Sequence, residues 1–118
     1  MEKKGKALIV EDKLYITKIM VTYLSSYFEC VCVHSEDEML SEIDNAAVVV
    51  MSDNICSLEG DSLLLRVKKV NPALPVVVMT SELSSKVRIN YLKDGADDIV
   101  TKPFNPEELA LRVRRLVK

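Results

Sequence analysis

The chain has 118 residues, 48% of them apolar and 29% charged, with a net charge of −2. That is enough chain for one domain with its own core, and too little positive charge for a general pull toward nucleic acid. No apolar stretch approaches a membrane span, and the charged opening Met1-Glu2-Lys3-Lys4-Gly5-Lys6 lacks a signal-peptide core, so a cytoplasmic location is expected.

Ala7-Leu8-Ile9-Val10 is a short apolar run closing on Glu11-Asp12, and it reads as a first strand. A helix over 13–26 follows, and Ile16, Ile19, Met20, Tyr23, Leu24 and Tyr27 recur at three- and four-residue spacing to predict one buried stripe. Residues 29–34 form a second strand, where Cys30 and Cys32 alternate with Val31 and Val33 as small core or edge residues. With Cys56 they make an odd set of three without a Cys-x-x-Cys pair, which argues against a disulfide framework or a zinc site. Cys56 falls in a loop, where a thiol is open to modification. Ser35-Glu36-Asp37-Glu38 carries the Ser-x-x-Glu capping pattern ahead of a second helix faced by Met39, Leu40 and Ile43.

The third strand, Val48-Val49-Val50-Met51-Ser52, is apolar almost to its end and runs into Asp53 and Asn54. A run of that kind fits a strand buried on both faces, as in parallel sheets covered by helices. The loop 54–59 leads to Gly60 and a third helix carrying Leu63, Leu64, Val67 and Val70, which stops at Asn71-Pro72. Pro75-Val76-Val77-Val78-Met79-Thr80 is the fourth strand, and 84–94 the fourth helix with Gly95 as its left-handed cap. Asp98-Ile99-Val100-Thr101 is a fifth strand, followed by Lys102-Pro103-Phe104. Asn105-Pro106-Glu107-Glu108 opens a fifth helix with a cap, a proline and two acids, while Arg112, Arg114, Arg115 and Lys118 crowd its far end and suit the helix dipole. Five strands alternating with five helices over 1–118 specify a single α/β domain, a doubly wound parallel sheet of order 2-1-3-4-5 and flavodoxin-like in plan.

In an open sheet of this type, chemistry gathers at the carboxyl ends of the strands. Those ends carry Glu11-Asp12, Ser52-Asp53 and Thr80, with Lys102 just after the fifth. The order 2-1-3-4-5 sets the first and third strands side by side, so Glu11, Asp12 and Asp53 are expected to share one shallow hollow. Carboxylates that close repel one another unless a cation joins them, and hard oxygen donors suit magnesium. Thr80 and Lys102 on the opposite side can hold two further oxygens of a phosphoryl group. The chemistry expected is transfer of a phosphoryl group to a carboxylate, with metal and lysine neutralising the developing charge. A flavin or nucleotide binder is disfavoured, because Glu11-Asp12 stands where a Gly-rich phosphate loop is needed.

These motifs carry a family resemblance. Leu8-Ile9-Val10-Glu11-Asp12, Val76-Val77-Val78-Met79-Thr80-Ser81 and Gly95-Ala96-Asp97-Asp98-Ile99-Val100-Thr101-Lys102-Pro103-Phe104 make the chain resemble a response-regulator receiver domain of two-component signalling over essentially its whole length. The resemblance implies a signalling switch rather than an enzyme. It implies that Glu11 and Asp12 hold magnesium together with the acceptor, that Thr80 meets the phosphoryl oxygen and changes rotamer, and that Lys102 pairs with the phosphate. It further implies a cis Lys102-Pro103 bond, and a histidine kinase or histidine phosphotransfer protein as donor.

The acceptor has two registers. In the family it stands eight residues before the loop glycine, with a proline midway; counting back from Gly60 reaches Ser52, and Cys56 takes the place of the proline. In that register the acceptor is lost, leaving a degenerate receiver that serves as a dimerisation or docking module. The other register makes Asp53 the acceptor and shortens the loop by one residue, a change that loops tolerate. Its difficulty is that a one-residue slip turns a strand side chain to the opposite face. Asp53 as acceptor is the first expectation and Ser52 in its place the second. Ile99 stands where the family often has tyrosine or phenylalanine, and its stiffness at χ1 predicts a muted switch. Arg88, Asp97, Asp98, Glu108, Arg112 and Arg115 resemble the dimer face of receivers attached to winged-helix DNA-binding domains, with the mixed charge a two-fold interface requires. By that resemblance a homodimer through the fourth helix, fifth strand and fifth helix is expected. So is an output domain beyond Lys118, with no direct contact between this domain and nucleic acid or membrane.

Overall fold

The computed structural model describes residues 3–55 and 62–118. The apolar runs build five strands: β1 (Lys6–Val10), β2 (Glu29–Val33), β3 (Ala46–Ser52), β4 (Val76–Thr80) and β5 (Asp98–Thr101). Between them lie α1 (Leu14–Leu24), α2 (Glu36–Glu42), α3 (Leu63–Val70), α4 (Ser85–Lys93) and α5 (Pro106–Leu116), with a short 3-10 turn over Ile43–Asn45. The sheet order is β2-β1-β3-β4-β5 and every pairing is parallel, the doubly wound plan expected from the sequence.

Helix ends are closed by the residues that the sequence marks. Ser35 Oγ accepts from the Glu38 amide at 3.3 Å, and Glu38 Oε1 accepts from the His34 amide at 3.2 Å, a reciprocal cap. Asn105 Oδ1 accepts from the amides of Glu107 and Glu108 at the start of α5, with Pro106 in the first turn. Gly95, at φ 106°, lets the chain leave α4 in a conformation that a side chain would strain. Among the described residues no helix is long and apolar enough to cross a membrane.

β3 divides the core. Val48 and Val50 pack with Ile16, Met20 and Leu109 on the side of α1 and α5. Val49 and Met51 pack with Met39, Leu64 and Val67 on the side of α2 and α3, where Tyr91 of α4 also lies. Side chains alternate along a strand, so Ser52 continues the row of Val48 and Val50, and Asp53 the row of Val49 and Met51. The ladder is unbroken at that point, for the Asp53 amide donates to the Met79 carbonyl at 3.0 Å.

Two expectations are corrected. The buried row of α1 is Ile16, Thr17, Met20 and Leu24, whereas Ile19 and Tyr23 are 42% and 40% exposed. That row is centred between Ile16 and Thr17, which turns Ile19 and Tyr23 to the rim of the helix. Val70, in the last turn of α3, is 52% exposed rather than buried. Cys30 and Cys32 lie half-buried on the edge strand β2, as expected; burial pushes both thiols above the ordinary value, that of Cys30 to about 11. The readings placed on 56–59, including Cys56, and on Gly60 fall outside the described residues.

Candidate functional site

The carboxyl ends of β1, β3, β4 and β5 meet above the sheet. β1 delivers Glu11, which is fully buried, and Asp12, which is exposed. The chain leaving β5 passes through a cis Lys102-Pro103 bond and returns the Lys102 ammonium toward β1. Lys102 Nζ donates to Glu11 Oε2 at 3.2 Å and to Ser52 Oγ at 2.5 Å. The Ser52 hydroxyl in turn donates to Asn54 Oδ1, and Asn54 Nδ2 donates to Asp12 Oδ1 at 3.1 Å. Glu11 Oε1 takes a further bond, from the Lys13 amide at 3.1 Å. The hydrogen bonds thus run without a gap from Glu11 through Lys102, Ser52 and Asn54 to Asp12. Among the described residues no buried side-chain polar atom lacks a partner.

Electrostatics follow from this chain of contacts. A carboxylate buried as deeply as Glu11 requires a paired cation, and Lys102 supplies it. The hydrogen bond from Asn54 does most to hold the Asp12 carboxyl below its usual range. Glu11, Asp12 and Lys102 together leave one net negative charge in the hollow.

The expectation that Asp53 shares the hollow is corrected. Its Oδ2 accepts from the Tyr91 hydroxyl at 2.8 Å, so the carboxylate is turned toward α4, on the other side of β3 from Ser52. The cause is the two-residue period of the strand: with Val48 and Val50 locked into the α1–α5 side, the next side chain in that row is Ser52. The proposed magnesium ligands Glu11, Asp12 and Asp53 are therefore not brought together. Among the described residues no three acidic, histidine or cysteine side chains converge to hold a metal. Magnesium favours several hard, anionic oxygens. Here the third position offers a hydroxyl already engaged by Lys102 and Asn54, so the donor set does not fit that ion.

Thr80 lies at the same end of the sheet, fully buried, with its hydroxyl accepting from the Glu82 amide at 3.0 Å. Ile99 is a buried core residue. Beside the hollow a groove of about 500 Å³ opens between α1 and the segment after β5, lined by Tyr15, Ile19, Pro103 and Phe104 and, where it meets the hollow, by Asp53, Asn54 and Lys102. Tyr15, Ile19 and Tyr23, spaced four residues apart, form an exposed row along α1, whereas the exposed Leu14 lies on another side of the helix with Thr17, Lys18 and Cys32.

The charged set expected to form a dimer face is largely bonded within the chain. Asp97 accepts from Lys68 of α3 at 2.9 Å and from the Val76 amide at 2.8 Å, which ties it to the start of β4. Arg88 donates inward to Thr101 Oγ1 at 2.7 Å. Arg112 pairs with Asp98 at 3.1 Å and stands 3.8 Å from Glu108, and the Asp98 carboxylate holds its guanidinium above the usual range. Arg115 is exposed on α5. Asn54 and Tyr91 were not singled out from the sequence as site residues. Counting back from Gly60 puts Asn54 two places after Ser52, but no sequence pattern links Tyr91 to Asp53.

Residues 7–114 match the family model described as the response regulator receiver domain. A probable transcriptional regulator ycf27 of Cyanophora paradoxa is 32% identical over 98% of this chain and 49% of its own length. The uncharacterized transcriptional regulatory protein YkoG of Bacillus subtilis is 31% identical over 98% of this chain and 52% of its own length. The chain thus spans about half the length of these curated relatives. Among solved structures, the receiver domain of the Francisella response regulator 1452 superposes with a TM-score of 0.85 at 31% identity, covering 95% of each chain. A receiver domain named DrrB, activated with BeF3, gives a TM-score of 0.82 at 28% identity, over 95% of this chain and 96% of that one.

Proposed function

Because the chain belongs to the response regulator receiver domain family, we propose that it is a two-component receiver that works without aspartyl phosphorylation, as a docking module. One observation carries this reading. Lys102, the cation expected to meet a phosphoryl group, is bonded to Ser52 at 2.5 Å and to Glu11 at 3.2 Å, while Tyr91 holds the neighbouring carboxylate of Asp53. A serine hydroxyl cannot form an acyl phosphate, and it adds no negative charge with which to recruit a divalent cation.

The relatives named as transcriptional regulators are about twice as long, and the same division of labour is proposed here: a receiver that governs an attached output domain by the partner it docks. The exposed row Tyr15, Ile19 and Tyr23, beside the groove closed by Pro103 and Phe104, supports α1 as the docking face. A histidine kinase or histidine phosphotransfer protein is the partner class proposed, bound without accepting its phosphate. Pairing of two copies through α4, β5 and α5 has less support, because Arg88 and Asp97 are bonded inside the chain.

The reading is tested by treating the purified protein with saturating acetyl phosphate and magnesium and measuring its intact mass. Wild type is expected to stay unmodified while Ser52→Asp gains a phosphoryl group. An adduct on wild type that Asp53→Asn abolishes would return Asp53 to the acceptor role.

A further inference from the structure

Helix α4 has no fully buried residue along its whole length. It lacks the apolar anchors that fix α1, α3 and α5, so its place in the fold depends on a half-buried side formed by Val87, Arg88 and Tyr91. Two of these side chains bond to the carboxyl end of the sheet. Arg88 Nη1 donates to Thr101 Oγ1 at 2.7 Å, and Tyr91 Oη donates to Asp53 Oδ2 at 2.8 Å. The second bond has an ionised acceptor, which makes it the stronger kind. The Tyr91 ring also packs on the core cluster that contains Met51 and Leu64.

We infer that Asp53 is a fixed anchor for α4: its carboxylate, turned away from the hollow, holds Tyr91 and sets the position of the α4 surface with no phosphoryl group present. The same strand end supplies both parts. Ser52 and Asp53 are consecutive and face opposite ways, so the backbone that gives the hollow a hydroxyl gives α4 an acid. The outer side of α4, where Ile89 and Leu92 are exposed, is thereby kept in one position.

This inference rests on the reading that Asp53 is not the phosphoacceptor, and the two fail in different observables. A phosphate on Asp53 appears as added mass, whereas a missing anchor appears as unaltered amide exchange in α4. The test is hydrogen–deuterium exchange on wild type, Tyr91→Phe, Asp53→Ala and the double variant. Each single change is expected to speed exchange in α4 roughly three- to tenfold, the range for loss of one net hydrogen bond. The double variant is expected to exchange no faster than either single one, because both remove the same bond, while amides of β1 and β3 keep their wild-type protection. Unchanged α4 exchange in Tyr91→Phe, increments that multiply in the double variant, or equal loss of protection in β1 and β3 would each overturn the assignment.

Discussion

Ser52 and Lys102 meet at 2.5 Å, and the same ammonium reaches Glu11 at 3.2 Å. A hydroxyl therefore lies where the resemblance calls for a carboxylate. The lysine that would stabilise a phosphoryl group instead compensates a buried acid. Several properties of the domain depend on this arrangement.

Magnesium is expected to have no measurable effect on the melting temperature of wild type, because the hollow offers Glu11 and Asp12 without a third carboxylate. Ser52→Asp adds that carboxylate beside the other two. The variant should be destabilised in chelator by like-charge repulsion and recover as magnesium is added. Differential scanning fluorimetry with and without the ion reads both.

Removing the cation is expected to be expensive. Lys102→Met leaves the Glu11 carboxylate buried without its ion pair, a loss of about 3–5 kcal/mol for a fully enclosed pair. Lys102 is itself 16% exposed, so about 2–3 kcal/mol is the expected value here. Urea denaturation measures it, and Glu11→Gln in the same background should restore part of the loss. Equal stability of wild type and Lys102→Met would show that the pair is not formed.

Asn54 is expected to control the titration of Asp12, since its amide hydrogen bond is the largest cause of the lowered pKa. In Asn54→Ala the Asp12 carboxyl should titrate at higher pH, as followed by its side-chain carbon chemical shift. The sign follows from linkage: a depressed folded-state pKa contributes stability above the unfolded value, and that contribution is lost as pH falls through the folded one. The residue is exposed, so the titration is a sharper readout than the stability.

How far the sequence reaches is clearest at β3. Val48 to Met51 identified a two-sided buried strand, and the alternation of elements specified both the sheet order and the helices. Ser35, Asn105, Pro106 and Gly95 marked helix ends where the structure has them. Asp53 and Ser52 could not be told apart at this point, because Val48 to Met51 are apolar on both faces and only the structure shows that Val48 and Val50 face α1 and α5. Ile19 and Tyr23 were misplaced for a related reason: helical spacing shows that a stripe exists, not how far round the helix its centre lies. The Tyr91–Asp53 bond joins residues 38 apart and follows no periodicity, so only the folded arrangement reveals it.

Cys30 is expected to resist alkylation in the native protein at pH 8, for burial raises its thiol from 9.0 to about 11 and leaves little thiolate. Here the linkage sign is reversed. Between about 9 and 11 the folded state holds a proton that the unfolded state has released, so stability should fall as pH rises through that window. Mass-detected iodoacetamide labelling, with and without urea, measures the protection. Rapid native labelling of Cys30 would contradict the half-buried edge position.

Occupancy of the hollow is tested most directly with beryllofluoride, which binds aspartate in the geometry of an acyl phosphate. Fluorine NMR is recorded on the protein at saturating beryllofluoride and magnesium, with Ser52→Asp as the positive control. A bound fluorine signal is expected for the variant and none for wild type. A bound signal in wild type that disappears in Asp53→Asn would mean that Asp53 enters the hollow, contradicting the account.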